Sequence, residues 1–186
     1  MAVTPTGREI KIDQLQMIVS RTDRKGIIEY ANQDFCTVSG YSLPELINKP
    51  HNIVRHPDMP AAIFKLMWKR LENGQDIYAV VKNLAKNGDH YWVTTKFDIR
   101  KHPISKNVTG YVAYRQAAPV AVVEAMSKLY ANMLDVEKIN GINASENFLN
   151  TFLDSRHTTY DEFVHTLAVK DSGLKSFFKK MTSLFS

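Results

Sequence analysis

The sequence predicts an α+β domain: a five-stranded antiparallel sheet with a helical insert between strands 2 and 3, followed by a C-terminal helical extension. Three observations predict it. Short runs rich in β-branched and aromatic residues lie on both sides of a stretch with helical spacing. Tight-turn residues separate the later runs, as antiparallel neighbours require. From Pro119 onward the apolar spacing becomes helical. Two strands, helices and then three strands segregate the helices to one face and leave room for a concave pocket between the layers.

Residues 1–9 read as a tail, 10–117 as the domain and 118–186 as the extension. Leu15 to Ser20 and Gly26 to Ala31 flank the turn Thr22-Asp23-Arg24-Lys25-Gly26 and read as a first hairpin. Ser42-Leu43-Pro44-Glu45 has the Ser-x-x-Glu form of a capping box, with proline in the first turn where its missing donor does no harm. The longest helix of the insert is expected from Pro60 to Glu72, where Ala61, Phe64, Leu66, Met67, Trp68 and Leu71 form an apolar stripe and Asn73-Gly74 supplies the stop.

Ile77 to Leu84, Tyr91 to Arg100 and Gly110 to Gln116 complete the sheet, with turns at Lys86-Asn87-Gly88-Asp89 and from His102 to Asn107. Asn-Gly tolerates the positive φ that tight hairpins need. Along the second of these strands Tyr91, Val93, Phe97 and Ile99 alternate with Trp92, Thr94, Lys96, Asp98 and Arg100, so one face is core-like and the other mixed. With Asn83 inward, Tyr78, Val80, Trp92 and Tyr114 face outward. So aromatic a face calls for cover, either by the chain's own helices or by a partner.

In the extension, Val122, Met126, Leu129, Met133 and Val136 make a helical seam too short for a coiled coil, ended by Gly141. Ser145 to Leu153 and Thr159 to Val169 read as further helices, with Asp161 and Glu162 favourably placed in the first turn of the second. Leu174, Phe177, Phe178, Met181, Leu184 and Phe185 stripe one side of a terminal helix, with Lys175, Lys179 and Lys180 elsewhere. Packing or docking is the expected role, ahead of contact with a membrane surface.

With 186 residues, 44% of them hydrophobic and 23% charged, the chain suits one modest core and an appendage. No apolar run approaches the roughly 18 residues of a membrane span, and Met1-Ala2-Val3-Thr4-Pro5 lacks the layout of a secretory signal, so the expected location is the cytoplasm. A lone cysteine, Cys36, allows no internal disulfide and no cysteine-pair metal or redox motif. The net charge of +5 is spread out and concentrates only after Lys170, without a recognition-helix or RNP-type pattern. Nucleic acid is therefore not expected as a partner.

No two glycines approach the Gly-x-Gly-x-x-Gly spacing, so side chains must hold any phosphates. Arg55 and His56 can supply charge-assisted donors, Phe64 and Trp68 sit four apart and can face a flat ring, and Asn83 offers both donor and acceptor. This is binding chemistry without a paired acid and base, and an enzyme is not expected. Plainer roles compete. Phe64 and Trp68 fit a core, Asn83 can satisfy buried backbone, and Arg55 and Asp58 can form a surface ion pair. His51, His56 and Asp58 lack the ligand cluster of a metal site.

Ser20-Arg21-Thr22-Asp23, Tyr30-Ala31-Asn32, Val38-Ser39-Gly40-Tyr41, Pro50 through Pro60, Val81-Lys82-Asn83 and Asn87-Gly88-Asp89-His90-Tyr91-Trp92-Val93 occur in that order. The segment they define, about 10 to 117, resembles the PAS domain of bacterial aerotaxis (energy-taxis) receptors, in particular the soluble sensor subunit of two-chain systems. The resemblance implies the PAS fold and bound FAD, contacted by Asn32, Arg55, His56, Asp58, Phe64, Trp68 and Asn83. One departure is Gly74-Gln75-Asp76-Ile77-Tyr78-Ala79, where the family commonly has Pro-Trp after the glycine; Ile77 removes a ring-stacking aromatic. Haem held by His56 and a cofactor-free interaction module remain as alternatives. The resemblance further implies a membrane-anchored methyl-accepting chemotaxis transducer as a separate partner chain, which recruits the protein to the inner face of the membrane. Homodimerisation through the sheet face or the helices is a further expectation.

Overall fold

A computed structural model describes residues 3–169, so the predicted terminal amphipathic helix after Lys170 lies outside the described residues. The elements are β1 (Ile18–Asp23), β2 (Ile28–Ala31), α1 (Gln33–Ser39), α2 (Leu43–Leu46), a single 3-10 turn (His51–Val54), α3 (Ala61–Glu72), β3 (Ile77–Leu84), β4 (His90–Lys101), β5 (Val108–Ala117), α4 (Val120–Asn140), α5 (Ile142–Asp154) and α6 (Tyr160–Val169). The strands form one antiparallel sheet in the order β2-β1-β5-β4-β3. The chain's first and last strands thus meet at the centre, and the insert crosses one face.

The first strand begins later than its apolar run predicts. Asp13 accepts from Gln16 in a turn before it, and β1 then continues through Asp23. The Asp23 carboxylate accepts from the Lys25 and Ile27 backbone N–H groups and closes the hairpin. Helix α1 was not foreseen in the sequence. Asn32 caps it by accepting from the Phe35 N–H at 3.1 Å, and Gly40 ends it in the left-handed conformation. At α2 the Glu45 carboxylate accepts from the Ser42 N–H at 2.9 Å, the back-reaching half of the capping box. Residues assigned to a tail are tied down, with the Thr6 N–H donating to the Gly88 carbonyl and the Arg8 carbonyl accepting from the His90 N–H.

Strand register divides the sheet into two faces. Ile77, Ala79, Val81 and Asn83 pair with Phe97, Thr95, Val93 and Tyr91, and the first three of these β4 residues meet Ala113, Arg115 and Ala117 on β5. That face looks toward α1 to α3. The opposite face carries Val80, Lys82 and Trp92, and the chain covers this part itself. Trp92 stacks on Tyr130 of α4 at 6.3 Å, and the Tyr130 hydroxyl donates to the Val80 carbonyl at 2.7 Å. Tyr160 of α6 shares a 2.6 Å hydrogen bond with Tyr130 and accepts from the Val80 N–H. Trp92 is therefore a buried contact of the extension and is not available as a surface for a partner. The short seam read in α4 is this packing surface, with Val122, Met126, Leu129 and Met133 all buried.

The extension also grips α3 along its length. Pro60 offers no side-chain cap at the start of α3, and Glu137 of α4 supplies one from a distance, accepting from the Ala61 and Ala62 N–H groups at 2.9 and 3.1 Å. Lys65 reaches Asn143 and Glu146 of α5 at 2.8 and 2.6 Å. Near the other end Arg70 pairs with Asp161 of α6, whose second oxygen accepts from the Tyr78 N–H at 3.0 Å. No helix among the described residues is long and apolar enough to cross a membrane.

Candidate cofactor-binding site

Between α3 and the inner face of the sheet lies a cavity of about 360 Å³, within the usual size range of small-molecule sites. Phe64, Met67, Trp68 and Leu71 of α3 form one wall; Ser20, Val81, Asn83, Phe97, Tyr111, Ala113 and Arg115 of the strands form the other. His51, Asn52 and Arg55 border it together with Lys25 and Gly26, whose carbonyl accepts from the His51 N–H at 2.9 Å. Helical spacing places 64, 67, 68 and 71 on one stripe, which explains why this wall could be read from sequence.

Trp68 meets Tyr111 edge to face at 5.5 Å and 76°, closing one end. Gly26 makes that closure possible. Its φ is 79°, and a Cβ there would lie 3.2 Å from two Trp68 ring carbons. Arg55 lies in an antiparallel bridge with Asn83, with its guanidinium 4.4 Å from the Phe64 ring centroid at the exposed rim.

Asn83 is 4% exposed, and its Nδ2 has no hydrogen-bond partner among the described residues. On the same sheet face, though not in the cavity lining, Tyr91 Oη and Thr95 Oγ1 are also buried without hydrogen-bond partners among the described residues. Unsatisfied donors are costly, and of these groups the Asn83 amide is the one in the cavity lining, where it can meet a polar ligand edge. Arg115 is buried as well and has no carboxylate partner among the described residues; burial pulls its pKa down to about 10. It donates to Ser20 Oγ at 3.0 Å and to His51 Nε2 at 2.9 Å. Burial, reinforced by that guanidinium, pushes the His51 pKa down to about 3, so the ring is a neutral acceptor. Apolar faces with a few aimed polar groups fit a flat heterocycle such as a flavin ring.

Of the seven residues singled out by resemblance, Arg55, Phe64, Trp68 and Asn83 line the cavity, whereas Asn32, His56 and Asp58 do not. Asn32 is committed to backbone: Oδ1 accepts from Val19 and Phe35, and Nδ2 donates to the Met17 carbonyl. His56 follows Arg55 in extended backbone and so turns the other way, accepting from the Asp58 N–H and meeting His90 edge to face at 5.7 Å. Burial and the nearby Lys82 charge hold its pKa down at about 4. Asp58 pairs with Lys82 at 2.6 Å; the Arg55–Asp58 pair weighed as an alternative does not form, because Arg55 lies over Phe64. Ile77 is fully buried in the core beside Phe97, which does reach the cavity. The sequence reading missed Ser20, His51, Tyr111 and Arg115. A charged residue in phase with Tyr111 and Ala113 on an otherwise apolar strand face was the available signal for Arg115.

Residues 28–114 match the family model of the PAS fold. Five antiparallel strands, the helical insert and the cavity beneath α3 agree with that match: this part of the chain has the PAS fold. Over 115 residues, 61% of this chain, it is 44% identical to the aerotaxis receptor of Escherichia coli K12 and covers 22% of that protein. It is 33% identical over 82 residues to the nitrogen fixation regulatory protein of Klebsiella pneumoniae, covering 44% of this chain and 17% of that protein. The chain thus spans about a fifth of the length of these curated relatives. Among solved structures, a light-oxygen-voltage domain studied with a flavin analogue superposes with a TM-score of 0.53 at 24% identity, covering 62% of this chain and 86% of that one. At that identity the likeness concerns the fold.

Proposed function

We propose that this chain is a non-catalytic redox sensor for energy taxis that holds FAD in its PAS cavity and signals to a separate, membrane-anchored methyl-accepting transducer. The observation that carries the reading is the cavity itself, with aromatic and apolar walls and the unpartnered Asn83 amide aimed at its contents. The likeness to the aerotaxis receptor supports it. When bound, the flavin supplies a ring that gains and loses electrons reversibly. Asn83 hydrogen-bonds the polar edge of the ring, while Phe64, Trp68 and Val81 exclude water from its faces. Arg55 and Lys25, both exposed at the rim, are placed to meet the pyrophosphate. Asn32, His56 and Asp58 act behind the site, where Asn32 anchors α1 and the other two fix the approach to α3.

Signal output follows from the contacts of α3. A shift of this cavity wall is felt at Glu137, Glu146 and Asp161, one residue in each described helix of the extension. The extension then presents the change to the transducer at the inner face of the membrane. Protein purified gently and scanned in the visible range tests the reading: it predicts a two-banded yellow spectrum and release of FAD on denaturation. A Soret band would replace flavin with haem. Colourless protein that takes up no added FAD would leave a cofactor-free interaction module. Co-purification with a transducer only when α4 to α6 are intact tests the output.

A further inference from the structure

The Arg115 guanidinium is a charge without a counter-charge among the described residues. It is 3% exposed, and its hydrogen-bond partners, Ser20 Oγ, the Ala113 carbonyl and His51 Nε2, lack formal charge. The ring of Phe35 lies 5.6 Å away, and no carboxylate among the described residues forms an ion pair with it. A buried cation held only by neutral groups is destabilising for the empty protein. The arrangement is nevertheless built. His51 stacks on Phe35 at 5.5 Å with planes 9° apart, and the single lone pair of its Nε2 faces both the Arg115 N–H at 2.9 Å and the Ser20 hydroxyl at 3.1 Å. Arg115 and Asn83 line the same cavity. Three hydrogen bonds leave part of the five-donor guanidinium uncommitted.

We infer that Arg115 is the specificity-determining anchor of the cavity, meeting the acceptor-rich, electron-accepting edge of the bound heterocycle while Arg55 and Lys25 serve the phosphates. The inference rests on the flavin reading and deepens it. A planar ligand edge bearing carbonyl oxygens and ring nitrogens satisfies the free donors, and the positive charge favours a ring that has gained electrons.

The test compares wild type with Arg115→Met and Arg115→Lys in the full chain, stripped of ligand and titrated with FAD and with riboflavin, which lacks the phosphates. Arg115→Met is expected to raise the melting temperature of the ligand-free protein and to weaken both ligands at least tenfold and to a similar degree. The flavin that remains bound should have a more negative midpoint potential, and Arg115→Lys should restore much of that potential. Should the methionine variant fail to fold, Arg115→Gln carries the same expectations for affinity and potential. Unchanged affinity and potential, or a loss confined to FAD, would overturn the inference while leaving the flavin reading intact. Wild type that binds neither ligand would overturn both.

Discussion

The carboxylate of Glu137, in the last turn of α4, accepts a 2.9 Å hydrogen bond from the backbone N–H of Ala61, in the first turn of α3. The same carboxylate also takes the Ala62 N–H. A helix that begins after a proline with no cap of its own borrows one from the extension, and a negative charge there suits the helix dipole. Glu137→Ala should cost about 1–2 kcal/mol, as loss of a cap does. Urea unfolding checks the cost. Weaker flavin uptake in the same variant would show that α3 is held in its working position from outside the PAS domain.

Gly26→Ala tests the closed end of the cavity. The substitution forces a Cβ into a φ of 79° and against the Trp68 ring. The expected loss is about 1–2 kcal/mol, part from the backbone and part from the contact. In a Trp68→Ala background the contact part should vanish and the backbone part remain, which a double-mutant cycle by chemical denaturation resolves.

Arg55 and His56 are sequence neighbours with separate consequences. Arg55→Ala should weaken FAD roughly tenfold, about 1.4 kcal/mol, and riboflavin much less, if the rim guanidinium meets the phosphates as proposed. His56→Ala should act on stability through its buried contacts with Asp58 and His90. Fluorescence titration with both ligands, alongside thermal melts, separates the two effects.

Stability should fall on acidification before the carboxylates titrate. His51 is neutral in the folded chain down to about pH 3, and His56 to about pH 4. An unfolded histidine takes up a proton near pH 6.5. Below that value the unfolded state binds protons the folded state refuses, so the stability present above pH 6.5 is lost progressively toward the folded pKa values. For His51 the slope is at most about 1.4 kcal/mol per pH unit. Urea midpoints from pH 7.5 to 4.5 should show the decline, and His51→Gln should flatten it.

The sheet and α3 were legible in the sequence because alternation and helical spacing record burial directly, as Ile77 to Asn83 and Phe64 to Leu71 show. Helix α1 was missed because its marker, Asn32, also belongs to the family motif and was read as a ligand contact. The structure spends that side chain on joining β1 to α1. His56 stands beside Arg55 in sequence, but extended backbone turns successive side chains to opposite sides, and Asp58 lies in the turn that follows, so adjacency did not mean a shared site. Arg115 escaped because its role depends on Ser20 and His51, which are distant in sequence and meet only when β1 and the 3-10 turn fold against β5. The cover over Trp92 depended on long-range packing of α4, which a short apolar seam does not specify.

Filling the cavity from the sheet side probes the account at its centre. Ala113 is 5% exposed and lines the cavity on β5; Ala113→Phe projects a ring into the space assigned to the flavin. Equilibrium titration of the folded variant with FAD is the measurement. The account predicts native-like circular dichroism and no uptake at concentrations that saturate wild type, whereas full flavin stoichiometry in the filled variant would place the cofactor elsewhere and contradict it.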